Sequence, residues 1–577
     1  MESFIRGVQR MGLALKNNPR IINTTRQASV AAKCKIIEGN NGERIFPSIY
    51  DDVEIPNLTI HDYIWKDVEK HSKLIALECG ITGRKYTYAQ ARDNSNYLAR
   101  SLRNMGFRDG DVVALILPNL PESALSFLGI LEAGLVVTTV NPMYTVDEIS
   151  RQLKSSKAKA IITSSGIAPN VVIAGKASLP SNAPIIVVDD AVQSPPDGTI
   201  LFNDLITRGK TLPQIPSQIR NPHDLAVLPY SSGTTGLPKG VELTHSNLVS
   251  NMVMTDASYV FPEKADGEQE IIPTVLPLFH IFGMNCIMLP RLATGEKLIT
   301  LPNFSPETYI NVLAKNKCSL LYCAPPIVLF FGAHPMVKAE YFKSVRSIFS
   351  GAAPLAYSDV ERVYNKFNLT SETLQISQGY GLTECSPVAF LETENKFASI
   401  GHPISRCEAR LVDPMSGNDV VTPGQTGEIW IRGPHVMKGY FNNEEATREI
   451  LQDGWLKTGD IAYFDDDFAF FITDRLKELI KVKGFQVPPA ELEAILRTHP
   501  AIADAAVIGV PDPRSGEIPK AYVVLKSDET ATEENIQNFV KGKVSEYKEL
   551  KGGVSFIDEI PRNPTGKILR IHLRNIN

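Results

Sequence analysis

The chain has 577 residues, of which 43% are apolar and 21% charged, with a net charge of −5. That length allows more than one core, and the charge balance argues against a nucleic-acid partner. No apolar run reaches the ~20 residues that a membrane-spanning helix needs. Cys34, Cys79, Cys286, Cys318, Cys323, Cys385 and Cys407 are scattered, odd in number and without a C-x-x-C pair. They read as reduced thiols, not as a disulfide framework or a zinc site.

Residues 1–35 carry Arg6, Arg10, Lys16, Arg20, Arg26, Lys33 and Lys35 against the single acid Glu2. On a helix Phe4, Val8, Met11 and Leu15 share one stripe, and Arg6 and Arg10 lie opposite. This is the composition of a mitochondrial presequence, so a mitochondrial location is expected. A disordered basic tail on a cytoplasmic protein, or a surface helix in peripheral contact with a membrane, are the alternatives. The C-terminal residues Leu573 to Asn577 lack the peroxisomal Ser-Lys-Leu signal.

From Ile36 onward short apolar runs alternate with helical patterns. A helix is predicted from Tyr88 to Met105, with Thr87 as N-cap and Gly106 just past its end. Val112 to Leu117, Ala158 to Thr163 and Ile185 to Val188 read as strands. Strands alternating with helices imply an α/β fold with largely parallel sheets. Leu276 to Pro290, interrupted by Pro277, His280 and Asn285, reads as a buried strand or pocket wall. Composition changes near residue 474, where the acid- and aromatic-rich Trp455 to Phe471 gives way to the basic run Arg475 to Gly484. A helix over Pro489 to Arg497 and strands over Ile502 to Val510 and Ala521 to Leu525 follow. The expected organisation is a leader over 1–35, a large domain over 36–474 and a small domain over 475–577.

Four motifs carry chemistry. Tyr230-Ser231-Ser232-Gly233-Thr234-Thr235-Gly236-Leu237-Pro238-Lys239-Gly240 follows the apolar run Leu225 to Leu228. Small hydroxyl and glycine residues let backbone N–H groups approach phosphate oxygens, and Lys239 adds a point charge. It is not a Walker A loop, because Leu-Pro separates the second glycine from the lysine. In Gln378-Gly379-Tyr380-Gly381-Leu382-Thr383-Glu384, Thr383 offers a hydroxyl to phosphate and Glu384 an oxygen ligand to Mg²⁺. Gly454-Trp455-Leu456-Lys457-Thr458-Gly459-Asp460 ends on an acceptor suited to a ribose diol. Pro561-Arg562-Asn563-Pro564-Thr565-Gly566-Lys567 presents one lysine on a Pro/Gly-bounded turn.

In this order the motifs resemble the adenylate-forming superfamily of acyl-CoA synthetases, plant 4-coumarate–CoA ligases and beetle luciferases, over about residues 60 to 574. Pro277 to Gly283, Ser350 to Leu355 and Lys483 to Val487 resemble the 4-coumarate–CoA ligase and luciferase-like branch. The resemblance implies a large α/β domain of stacked subdomains with a small, mobile α+β domain. It implies ATP, Mg²⁺ and coenzyme A as reactants, with a small carboxylic acid as substrate. Ser231, Ser232, Gly233, Thr234, Thr235, Gly236 and Lys239 would clasp the β- and γ-phosphates. Gly351, Ala352, Ala353, Gln378, Gly379, Tyr380 and Gly381 would wall the adenine and acyl-adenylate. Thr383 would hold the α-phosphate, Glu384 the metal, and Asp460 and Arg475 the ribose. Lys567 would bridge the attacking carboxylate and the α-phosphate. His280 would stand at the carboxylate end of the acyl pocket. Lys477 would be the hinge, and Lys481, Lys483 and Gly484 the coenzyme A face.

Plant hydroxycinnamate ligases commonly place Tyr where this chain has Phe282, and Phe offers a phenol no hydrogen bond. With apolar Ile327, Val328 and Leu329 after Ala324-Pro325-Pro326, a medium- or long-chain fatty acid is the expected substrate. An aromatic acid, a luciferase-like oxygenase reaction and a non-catalytic acyl- or nucleotide-binding role are the alternatives.

Overall fold

The computed structural model describes residues 35–216, 220–231, 238–259, 269–393, 396–475, 478–482, 485–487, 489–527, 529–541, 543–544, 546–562, 566 and 568–576. The basic segment proposed as a presequence lies outside the described residues.

Val112–Ile116, Ala160–Ser164 and Ile185–Val188 are buried along nearly their whole length, with no polar alternation. Such strands need cover on both faces. They occupy the middle of a parallel array ordered Leu225–Val227, Val136–Thr139, Val112–Ile116, Ala160–Ser164, Ile185–Val188, Ile200–Leu201. The helix Tyr88–Asn104 starts at a capping box between Thr87 and Gln90. It ends ahead of Gly106, which takes a φ of +91°. Lys239–Thr244 adds to this sheet antiparallel to Leu225–Val227, and Tyr230–Ser231 folds back on it so that Ser231 lies opposite Lys239.

Two further sheets share its apolar core. One runs Ile271–Thr274, Lys297–Thr300, Ile75–Cys79, Lys85–Thr87; the other runs Leu320–Cys323, Ser347–Ser350, Gln375–Gly381, Val388–Leu391, His402–Pro403. In the latter, Ser350 is in register with Gln378 on a parallel neighbour. The turn after Ser350 and the Gly379–Gly381 run therefore emerge side by side at the carboxyl ends of their strands, where ligands bind in such sheets. A sheet containing Glu408–Val412, Gly427–Arg432, Trp455–Phe464 and Phe470–Arg475 completes the large body. One continuous apolar cluster runs through all of it.

Arg475 is the last residue of that sheet, and Ile480 is the first to enter a separate apolar cluster with Val482, Leu492, Ile502 and Val523. The small body is a mixed sheet of Phe485–Val487, Ile480–Val482, Gly516–Leu525, Ile502–Asp512 and Val554–Phe556, with helices Pro489–Arg497 and Glu533–Lys541.

Leu276 to Pro290 forms a pocket wall, and the strand alternative is incorrect. After Ile271–Thr274 the chain turns at Pro277 and winds into a helix. The turns over Gly283–Met288 are π-helical, and the helix runs on through Leu289–Ala293. The turn closes because Gly283 has no side chain: a Cβ there would lie 2.2 Å from the Pro277 carbonyl oxygen.

Candidate active site

The two bodies enclose a cavity of about 1130 Å³. The large body contributes Ser231, His280, Phe282, Gly351, Ala352, Gly379 to Glu384, Tyr440 and Asp460. The small body contributes Arg562 and Ile568 to Arg570. Gly566 of the small body packs against the large one: a Cβ on it would lie 3.4 Å from Pro326. Lys567 itself lies outside the described residues, as do Ser232 to Gly236, Lys477, Lys483 and Gly484. Lys481 and Arg475 are placed by their backbones only.

At the phosphate end, Glu384 is buried on a short 3₁₀ turn, Thr383–Cys385. Ser231 Oγ donates to Glu384 Oε1 at 2.8 Å and Tyr440 OH donates to the same oxygen at 2.9 Å. Among the described residues no donor reaches Oε2. Burial and the neighbouring Glu384 charge push the Tyr440 hydroxyl far above its ordinary pKa, so it remains a donor. Lys239 Nζ lies 5.0 Å from the centre of the Tyr440 ring. The helix His245–Ser258 is started by a capping box of Thr244 and Asn247. It is tied to this turn by Asn251 Nδ2, which donates to the carbonyls of Cys385 and Val388.

At the nucleoside end, Tyr380 OH donates to Asp460 Oδ2 at 2.7 Å. Asp460 is buried and sits in register opposite Arg475, so the predicted ribose pair is brought together by strand pairing. Ala352 takes a φ of +71°, a conformation that non-glycine residues adopt mainly where surrounding structure imposes it. Ala353 and Gln378 stand behind this wall; Gln378 Oε1 accepts from the Leu355 backbone at 3.3 Å and holds the turn.

At the acyl end, burial lowers the His280 pKa to about 4, so the imidazole is neutral at pH 7. His280 Nδ1 accepts from the Phe282 backbone at 3.3 Å, which leaves Nε2–H as the donor. The Phe282 ring packs against Gly351, where a Cβ would lie 3.0 Å from two ring carbons. Met252, Thr255, Asp256 and Tyr259 face the same space at helical spacing. Cys286, Arg291, Tyr322 and Phe349 complete the wall.

Ile327 and Val328 do not line the cavity, contrary to the expectation from sequence. Pro325 and Pro326 start a helix, Pro325–Ala333, and on it Ile327, Val328, Phe331 and Gly332 turn into the core. Phe331 packs there against Tyr309 and Phe342. Sequence reasoning also missed Tyr440, whose Gly-Tyr context is common, and the Asp256–Arg291 pair. The helical spacing from Met252 to Tyr259 was the available signal for Asp256.

Residues 64–441 match the family model described as AMP-binding enzyme, and residues 491–567 match that of the AMP-binding enzyme C-terminal domain. The chain is 37% identical to the probable 4-coumarate–CoA ligase 1 of Dictyostelium discoideum, over 93% of this chain and 98% of that protein. It is 39% identical to 4-coumarate–CoA ligase 2 of Nicotiana tabacum, over 92% of this chain and 96% of that protein. The fold is similar to that of ATP-bound MatB from Rhodopseudomonas palustris, with a TM-score of 0.79 at 26% identity, covering 90% and 99% of the two chains. It is also similar to a benzoate CoA ligase from Burkholderia xenovorans LB400, with a TM-score of 0.78 at 25% identity, covering 90% and 100%.

Proposed function

The chain belongs to the adenylate-forming AMP-binding enzymes, and on that premise we propose that it is an acid–thiol ligase. A carboxylate oxygen attacks the α-phosphorus of ATP, pyrophosphate leaves, and an acyl-adenylate forms. The thiol of coenzyme A then attacks the acyl carbon and AMP leaves. Ligases of this kind use ATP, Mg²⁺ and coenzyme A.

The observation that carries this reading is the meeting of Glu384, Asp460 and a neutral His280 in one cavity closed by the small body. Glu384 is a hard oxygen donor whose Oε1 is fixed by two hydroxyls, which suits Mg²⁺ shared with phosphate oxygens. Mg²⁺ held there supplies positive charge where negative charge builds up on the departing phosphates. Asp460, positioned by Tyr380, accepts from the ribose hydroxyls. His280 Nε2–H orients the acid's carboxylate without protonating it. Lys567 offsets the repulsion between carboxylate and triphosphate.

Met252, Ile281, Phe282 and Phe349 suit an acid with an apolar body, and a medium- or long-chain fatty acid remains the first reading. An aromatic acid is the second. It is favoured by the stacked Tyr322 and Phe349 rings, 5.2 Å apart, and by the 4-coumarate–CoA ligases among the relatives. The basic stretch over residues 1–35 supports a mitochondrial address. Acid-dependent exchange of labelled pyrophosphate into ATP, with hydroxylamine trapping of the adenylate, tests the first half-reaction. An enzyme that exchanged equally without acid would refute it.

A further inference from the structure

Asp256 and Arg291 form an ion pair in the acyl wall, with Arg291 donating to Asp256 Oδ1 at 2.5 Å. His280 immediately precedes a continuous helical stretch and Arg291 lies in its last turn. At ~1.5 Å per residue, Arg291 is therefore on the order of 15 Å further along that wall than His280. The pair is backed by Tyr88, whose hydroxyl donates to the Glu296 carbonyl at 2.6 Å. Cys286 and Tyr322 are its other neighbours, and both thiol and phenol are held protonated by burial. Arg291 also lies 3.5 Å from the buried Glu296 carboxylate.

The two partners are unequally exposed. The Arg291 side chain is 5% accessible and the Asp256 side chain 30%. Oδ1 of Asp256 is taken by Arg291, and among the described residues no donor reaches Oδ2. The helix face bearing Met252, Thr255 and Tyr259 turns Asp256 toward the cavity. The far wall of an otherwise apolar slot thus presents one fixed, unfilled carboxylate oxygen.

We propose that Asp256 is the recognition group at the remote end of the acyl site, selecting acids that carry a hydroxyl or amine donor far from the carboxyl group. This rests on the ligase reading above and revises its substrate class: an acid with a donor at its far end takes the place of a plain fatty acid. A methyl terminus would shut a carboxylate oxygen away from water without a partner, and a second carboxylate would meet Asp256 and Glu296 across a single arginine. A donor terminus satisfies Oδ2. Arg291 fixes the rotamer of Asp256 through its hydrogen bond to Oδ1, acting as a positioning residue. Two substrate types share this chemistry: a para-hydroxylated aryl acid and an ω-hydroxy aliphatic acid.

The test is kcat/KM, by AMP release with ATP and coenzyme A, for matched pairs. The pairs are cinnamate against 4-hydroxycinnamate, octanoate against 8-hydroxyoctanoate, and dodecanoate against 12-hydroxydodecanoate, with suberate as the dicarboxylate. The wild-type enzyme should favour the hydroxylated member of at least one pair by about ten- to hundred-fold, mostly through KM for the acid, and suberate should be poor. The series that shows the preference identifies the substrate type. In Asp256→Leu, which removes the acceptor and leaves Arg291 beside Glu296 at 3.5 Å, the ratio should fall to about one or invert. In Asp256→Asn, which keeps the shape and an acceptor, it should fall by a smaller factor. A wild-type enzyme that preferred the unsubstituted member of every pair would overturn the proposal, and so would a folded variant with an unchanged ratio. If no acid released AMP, the ligase reading would fall and this proposal with it.

Discussion

Glu384 takes two hydroxyl hydrogen bonds on one oxygen, from Ser231 at 2.8 Å and Tyr440 at 2.9 Å, and this fixes where its other oxygen stands. Hydrogen bonds to a charged acceptor contribute ~1.5–3 kcal/mol each. Tyr440→Phe should therefore raise the Mg²⁺ concentration for half-maximal adenylation about ten-fold while leaving KM for coenzyme A unchanged. A Mg²⁺ titration of pyrophosphate exchange checks this, and an equal loss at saturating Mg²⁺ would point to a merely structural tyrosine. Lys567→Ala should slow adenylate formation by ~10²–10³. Given pre-made acyl-adenylate, the same variant should still produce acyl-CoA; equal loss of both half-reactions in a folded protein would refute the separate-face assignment. At this scale the sequence was most informative where chemistry dictates residue type, as for Glu384, Asp460 and His280. It was silent on Tyr440 and Arg291, because nothing local marks a residue whose partner is 56 or 35 positions away.

The wall between nucleotide and acyl group is built by two elements meeting, the turn after Ser347–Ser350 and the helix that follows Pro277. Phe282 packs against Gly351, with 3.0 Å between two ring carbons and a would-be Cβ. Gly351→Ala should push the ring into the acyl slot. KM for bulky acids should rise more than KM for short ones, with KM for ATP nearly constant, and steady-state kinetics on acids of graded size would show it. A uniform loss across sizes would mean the clash distorts the nucleotide side instead. Element type was largely legible in the sequence. The buried parallel strands, the Thr87-capped helix and the small-domain strands follow from periodicity and turn chemistry. The wall was not fully legible, because helix and strand readings of a short apolar run differ only in tertiary context. Ile327 and Val328 show the consequence: the run after Pro325-Pro326 is apolar enough to line a pocket, but as a helix it turns those side chains into the core.

Across the whole molecule, burial has left histidines neutral outside the cavity lining as well. His402 and His435 are buried, and burial lowers them to about 4 and about 3. Unfolded, each titrates near 6.5, so as pH falls below that value the unfolded chain binds protons that the folded chain refuses. Stability conferred by the neutral folded form is full above about pH 6.5 and declines by up to ~1.4 kcal/mol per pH unit for each histidine until its folded pKa is reached. Urea midpoints should be flat from pH 8 to 7 and fall steadily from 6.5 to 4. Neither ring nitrogen of His435 has a hydrogen-bond partner among the described residues. His435→Met should therefore keep or raise stability at pH 7 and make the acid decline shallower; an unchanged slope would assign the decline to other groups.

The change in composition near residue 474 suggests a second body; in the structure Arg475 ends the last sheet of the large one and Ile480 belongs to the apolar cluster of the small one. Which face the small body presents to the large one was not legible, since that depends on packing such as Gly566 against Pro326. The address proposed for residues 1–35 is tested by fusing them to a fluorescent reporter. Mitochondrial import is expected, lost when Arg6, Arg10 and Arg20 become Glu, and a diffuse native fusion would refute it.

The most direct measurement of all follows the nucleotide products when purified protein, ATP, Mg²⁺, coenzyme A and a panel of carboxylic acids are combined. The structure predicts AMP, pyrophosphate and acyl-CoA in equal amounts, formed only when an acid of suitable shape is present. ADP and phosphate in place of AMP, or nucleotide binding without turnover for every acid from acetate to oleate and 4-coumarate, would contradict it.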